Sequence, residues 1–234
     1  IYGLAGVYGA LNSEALYGNY YSLQIANADD LCYFNNYNNS ESRPDRYNHS
    51  AGTATIYDTW SKLYEGIKNA NRYIEAVEKT EIDPGKLSVD IGLYIAEARF
   101  LRAYYYFLLF RQYGPVFIWG DQIADETIDG KTVDRHTVQQ NIDFMVGELD
   151  AIKNDLPVRT DDIGIDGKQW AGRVTRGAAL ALKSRILLYA ASPLYNGCDL
   201  YKGQMQNIRG EFLFPQSKDE TKWEAAAQAA WDVI

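Results

Sequence analysis

The sequence predicts a mostly all-α fold in which TPR-like helix pairs form a solenoid-type scaffold with long irregular loops. Three observations lead there. Apolar residues recur with a helical period over several long stretches, the starts of those stretches are evenly spaced, and Gly, Pro, Asn and Asp gather in the connections between them.

The clearest helix is expected over residues 55–79. Ile56, Trp60, Leu63, Ile67, Ala70, Ile74 and Val77 alternate steps of four and three, forming one apolar stripe, and Asp83-Pro84-Gly85 supplies the turn after it. Residues 91–113 follow, apolar on nearly every side through Ala103 to Phe110, as in a helix buried within a bundle, and Gly114-Pro115 stops them. Glu97, Arg99 and Arg102 in the middle make that helix too costly for a membrane interior. A third helix begins at Thr137, whose spacing to Gln140 is that of a capping box, and runs along Ile142, Met145, Leu149, Ile152 and Leu156 to Pro157. The fourth spans 173–191 and carries Gly177, Ala178 and Ala181, small residues expected to admit a close helix neighbour. The fifth is expected to open on another capping box, Thr221 to Glu224.

The odd-numbered helices begin near 56, 138 and 221, spacings of 82 and 83 residues, and the even-numbered pair near 91 and 173 repeats at 82. Each unit reads as an antiparallel helix pair with enlarged connections, whereas a TPR unit is about 34 residues long. The connections at 29–54, 114–136, 157–172 and 192–220 are long enough that specificity is expected in them. Leu4, Val7, Tyr8 and Leu11 share a helical face from the first residue onward. With no stop signal after Trp231, residues 1–234 are expected to be one domain cut at both ends.

Composition narrows the function. The net charge is −8 and the 23 basic residues form no run, so nucleic acid is not an expected partner. Cys32 and Cys198 have no metal-ligand spacing; they suit small apolar fillers, and a disulfide between them stays open. His49 and His136 belong to no zinc or nucleophile motif, and phosphate-binding and dinucleotide fingerprints are absent, so no enzyme activity and no cofactor are expected. Asp162, Asp166 and Gly167 imitate a calcium loop, but Gly164 and Arg173 break the ligand pattern, which leaves an acidic turn.

The connection from Asp29 to Thr55 mixes aromatic residues with amides and guanidinium groups. Sugars offer flat C–H faces bordered by hydroxyls, so aromatic platforms beside such hydrogen-bonders suit them. Tyr37, Arg43, Arg46, Tyr47 and Asn48 are the candidate ligand-binding residues on this chemistry. The same loop also reads as a polar connection pinned to the helices by its tyrosines.

Three stretches carry a family resemblance. They are Glu97-Ala98-Arg99-Phe100-Leu101-Arg102-Ala103-Tyr104-Tyr105-Tyr106-Phe107 with Tyr113-Gly114-Pro115-Val116; Trp60, Leu63, Tyr64, Gly66, Ile67, Ala70 and Asn71; and Gly172-Arg173-Val174-Thr175-Arg176-Gly177 through Tyr195-Asn196-Gly197. In order and spacing the chain resembles the SusD/RagB family, over a length similar to the N-terminal half to two-thirds of a member. The resemblance implies a non-catalytic lipoprotein on the outer face of the outer membrane of Bacteroidetes. Such a protein would bind oligosaccharide or polysaccharide and deliver it to a SusC-like TonB-dependent transporter. It would meet the membrane only through an N-terminal lipid anchor that this chain does not include. A TPR-like adaptor for protein or peptide is the alternative, and a helical glycoside hydrolase a more remote one. No motif carries a ligand residue over from the family.

Overall fold

The computed structural model describes residues 2–11, 54–80, 90–123, 127–128, 132–160 and 172–234. Six α-helices occupy them: α1 (Tyr2–Tyr8), α2 (Ala54–Lys79), α3 (Ile91–Tyr113), α4 (Val138–Ile152), α5 (Arg176–Ala191) and α6 (Thr221–Trp231). Among the described residues β-pairing is confined to an isolated bridge between Gln206 and Phe212. Each helix from α2 onward packs chiefly on its neighbours in chain order, and α1 closes against α2 and α3. That sequential stacking is the expected solenoid-like arrangement of TPR-type pairs. The helix starts at 54, 138 and 221, and at 91 and 176, preserve the predicted repeat to within a few residues.

The centre is α3. Leu101, Ala103, Tyr105, Tyr106, Phe107, Leu109 and Phe110 are almost wholly inaccessible, and they point to several sides of the helix at once. Asp90 caps its start by accepting from the Gly92 and Leu93 amides. Gly114 ends it with φ 74°, a left-handed value that a side chain would strain, and its N–H still donates to the Phe110 carbonyl. No helix among the described residues is long and apolar enough to cross a membrane.

Most element boundaries match the periodicity. In α4 the Thr137–Gln140 capping box forms in both directions, although the helix ends at Ile152 and Leu156 is buried from the turn beyond. Three expectations are corrected. First, α5 starts at Arg176, because Thr175 caps it and frees Arg173 to pair elsewhere. Second, Gly177, Ala178 and Ala181 face solvent, and α5 packs instead through Ala179, Leu182, Ile186 and Ala190. Third, Thr221 begins α6 from inside: Asp219 accepts from its amide (3.0 Å) and its hydroxyl (2.6 Å), so no capping box to Glu224 forms. Asp219, two residues earlier, thereby takes the Thr221 amide that a capping box would direct to the Glu224 side chain.

Two buried charge clusters tie the elements together. Glu97, fully inaccessible, accepts from Arg173 through both carboxylate oxygens and from the Tyr8 hydroxyl (2.6 Å), joining α1, α3 and the approach to α5. Burial, then Glu97 itself, pushes the Tyr8 phenol well above its ordinary range. Arg102, 1% exposed, donates to Glu148 of α4 from Nε (3.2 Å) and Nη2 (2.5 Å). Arg99 reaches the same carboxylate at 2.8 Å. The three charged residues in the middle of α3 thus link helix to helix, as charges within a buried apolar helix predict.

Candidate functional site

A cleft of about 560 Å³ lies between the outer face of α2 and the chain that follows α3. From α2 come Trp60, Tyr64, Lys68 and Asn71, at steps of four, four and three, so they share a face. From the other wall come Phe117 and Trp119, two residues apart in extended chain and therefore on one side of it. Glu65, Asn69, Arg72, Gln122 and Val133 complete the lining. Its floor is aromatic and its rim carries amides and charges.

The second wall belongs to no sheet, so its backbone groups need other partners. Side chains supply most of them, beside the backbone amides of His136 and Gln122, which donate to the carbonyls of Val116 and Trp119 (both 3.1 Å). The Tyr64 hydroxyl donates to the Phe117 carbonyl at 2.8 Å, and the Trp119 amide donates to the Tyr106 hydroxyl at 2.9 Å. The Ile118 amide donates to His136 Nδ1 at 3.0 Å, which fixes that nitrogen as the unprotonated one. Asn141 takes both ends of Val116, donating to its carbonyl (3.1 Å) and accepting from its amide (3.3 Å). At the far end Asn71 Nδ2 donates to the carbonyls of Gly120 (3.0 Å) and Gln122 (2.7 Å). Arg102 Nη1 donates to the Asn71 side chain (2.6 Å), to the Gly120 carbonyl (3.1 Å) and to Asp121 (2.7 Å). One guanidinium therefore holds both the α3–α4 contact and the turn at the groove's end.

The aromatic rings are set at steep angles. Trp60 lies 5.0 Å from Tyr64, tilted by 50°, and 5.0 Å from Tyr113, edge-on. Phe117 meets Trp119 edge-on at 4.7 Å and the His136 ring at 5.2 Å. Edge-on packing holds each ring by its rim and leaves part of a face free. Trp60 and Trp119 both stay half-exposed at the groove. Burial raises the Tyr64 phenol above its usual range, with Tyr106 adding to it and Arg135 opposing, so Tyr64 remains a protonated donor. Burial, then Arg209, holds His136 below its ordinary value, against Glu211 and Asp134.

The expected ligand residues Tyr37, Arg43, Arg46, Tyr47 and Asn48 lie outside the described residues, as do Cys32 and the acidic turn at 161–167. Cys198 carries a free thiol. Among the described residues no group of His, Cys, Asp or Glu could hold a metal ion. Sequence reading placed Trp60 in a core stripe and passed over Trp119. The i, i+2 pairing of Phe117 and Trp119 after the Gly-Pro stop was the available signal. A second cleft of about 390 Å³, between Thr137 and the 212–222 segment, is lined by Gln139, Phe212, Phe214, Gln216, Asp219 and Lys222 and has no Trp in its lining.

The described residues thus combine a scaffold of helix pairs with an aromatic-lined cleft beside α2. Residues 4–188 match a SusD-like family described as starch-binding and associating with the outer membrane, and the chain belongs to this SusD/RagB family. A SusD-like protein of Bacteroides ovatus is 27% identical over 150 residues, covering 64% of this chain and 25% of that protein. The crystal structure of a SusD homologue from Bacteroides thetaiotaomicron superposes with a TM-score of 0.68 at 28% identity, covering 99% of this chain and 39% of the other. A SusD-like protein from Bacteroides fragilis shares the fold, with a TM-score of 0.61 at 24% identity, over 81% of this chain and 34% of its own. The chain thus spans a quarter to two-fifths of the length of these relatives.

Proposed function

We propose that the protein binds oligosaccharide or polysaccharide at the bacterial cell surface and delivers it to a SusC-like TonB-dependent transporter, without cleaving it. The observation that carries this reading is the groove between α2 and residues 117–122. Trp60 and Trp119 offer ring faces at its mouth, and Asn69 and Gln122 stand beside them as hydrogen-bonders. Stacking positions a pyranose ring, and amides then read its hydroxyls. The family description, starch-binding and associating with the outer membrane, supports the same ligand class and location. Glu65 is the one acid among the described residues lining the groove, whereas glycoside cleavage ordinarily needs two opposed carboxyl groups.

We assign Tyr37, Arg43, Arg46, Tyr47 and Asn48, which precede α2 in the sequence, to the same ligand on their aromatic, amide and guanidinium chemistry. Delivery to the transporter rests on family membership.

Titration calorimetry of the full-length protein against a panel of plant, host and microbial glycans tests the reading. Binding of at least one glycan is expected, weakened about ten-fold or more by Trp119→Ala, the loss typical of an aromatic anchor. A protein that binds none of the panel, or binds with Trp60 and Trp119 both dispensable, refutes this site.

A further inference from the structure

The groove carries a local charge opposite to that of the whole chain. The protein has a net charge of −8. Yet Lys68 and Arg72 stand together on the groove wall, against Glu65 as the lone acid of the described lining. They are four residues apart on α2, so they are neighbours on its surface, and like charges at that spacing repel. None of the ion pairs formed among the described residues involves either of them. Three exposed cations elsewhere do pair with acids, Lys79 with Glu75, Lys218 with Glu220 and Arg209 with Glu211, while the exposed Arg176 and Lys202 are single charges in no ion pair among the described residues.

We infer that the groove selects acidic glycans, with a ring-borne anionic group seated between Lys68 and Arg72 while neighbouring sugar rings lie on Trp60 and Trp119. The inference rests on the glycan reading above and adds its substrate class. An anion between the two cations relieves their repulsion and gains two charge-assisted contacts at once. Arg72 presents a planar fork that matches a carboxylate or sulfate, and Lys68 supplies a point charge on a mobile stem. The net negative charge of the chain disfavours such a ligand on average, so the paired cations make the groove its favoured point of approach.

The test uses the full-length protein with four probes in titration calorimetry: polygalacturonate (uronate only), carrageenan (sulfate only), fully methyl-esterified polygalacturonate and amylose. Binding is expected for at least one acidic probe, with the charge-free methyl ester markedly weaker. Whichever acidic probe binds identifies the anionic group. The Lys68→Ala/Arg72→Ala double variant is expected to lose about ten-fold in affinity, and about 0.5 M salt to weaken the wild type similarly, since exposed charges are screened at that strength. Far-UV circular dichroism of the variant, expected unchanged, excludes misfolding as the cause. Amylose binding that depends on Trp119 and exceeds the binding of both acidic probes overturns the charge selection and leaves the glycan reading intact. Acidic-glycan binding unaltered in the double variant overturns the seat. Failure to bind any of the four overturns the inference, while the wider panel decides the glycan reading separately.

Discussion

At the residue scale two positions matter in ways that their residue types do not announce. Arg102 is buried with its donors spread over Glu148, Asn71, Gly120 and Asp121, so shortening it strands several acceptors at once. Arg102→Met is expected to cost about 3 kcal/mol, toward the low end for breaking a buried pair because Arg99 still reaches Glu148. For a chain of this size that is a fall in melting temperature of roughly 6–12 °C, readable by calorimetry. Gly66 is the opposite case. A Cβ there would sit 2.8 Å from the Tyr105 ring and 2.9 Å from the Ala10 methyl group, both held in the packing of α1 on α2 and α3. Helix propensity favours Ala over Gly by about 1 kcal/mol, whereas overpacking costs about 1–3 kcal/mol. Gly66→Ala is therefore expected to destabilise; a urea midpoint at or above that of the wild type would show that the α1 contact yields freely.

At the scale of elements, the extended wall from Val116 to Trp119 has its own pH dependence. His136 accepts from the Ile118 amide through Nδ1, so protonation breaks that bond, and burial together with Arg209 keeps the folded form neutral. The unfolded chain protonates first as pH falls through about 6.5, where an unhindered histidine titrates. Between that value and the lower folded one, the unfolded state holds more protons, and stability rises with pH. The contribution is present above about 6.5 and is lost as pH drops through the folded value. Denaturation measured from pH 7.5 to 5 is expected to show a steeper decline for the wild type than for His136→Gln; parallel slopes would remove His136 from the account. Thr137→Ala, which dismantles the α4 capping box next to it, is expected to cost about 1 kcal/mol without that pH signature.

At the scale of the whole molecule the order of helices was readable and the groove was not. The stripe through Trp60, Leu63, Ile67, Ala70 and Ile74 identified α2, but one period cannot separate a half-exposed position on the edge of the stripe from a buried one in its middle. Trp60 sits on that edge and Leu63 inside. The 114–122 segment has no period of its own, because its conformation is set by Tyr64, Asn71, Arg102, Tyr106, His136 and Asn141, contributed by α2, α3, α4 and the chain leading into α4. Only tertiary contact brings these together. Likewise Gly177, Ala178 and Ala181 marked a small-residue face correctly, yet whether a neighbour uses such a face depends on which way α5 is turned. Family motifs reached further than periodicity did, since Asn71 and Arg102 fall inside the quoted stretches and both prove to anchor the groove's end. Trp119 stands four residues after the Gly-Pro stop and outside those stretches.

The extended wall is laced to the helices mainly by side chains, with one backbone tie from His136 to Val116, and this separates its path from its surface. Tyr64, Asn71, Tyr106, His136 and Asn141 grip the backbone of residues 116–122, so the outward side chains at 117 and 119 do not determine where the chain runs. The arrangement resembles a loom: the warp is tied by buried donors and acceptors, while the pattern rests on two or three threads that can be exchanged. A lineage that keeps the ties can replace Phe117 and Trp119 and acquire a different appetite without relearning how to fold.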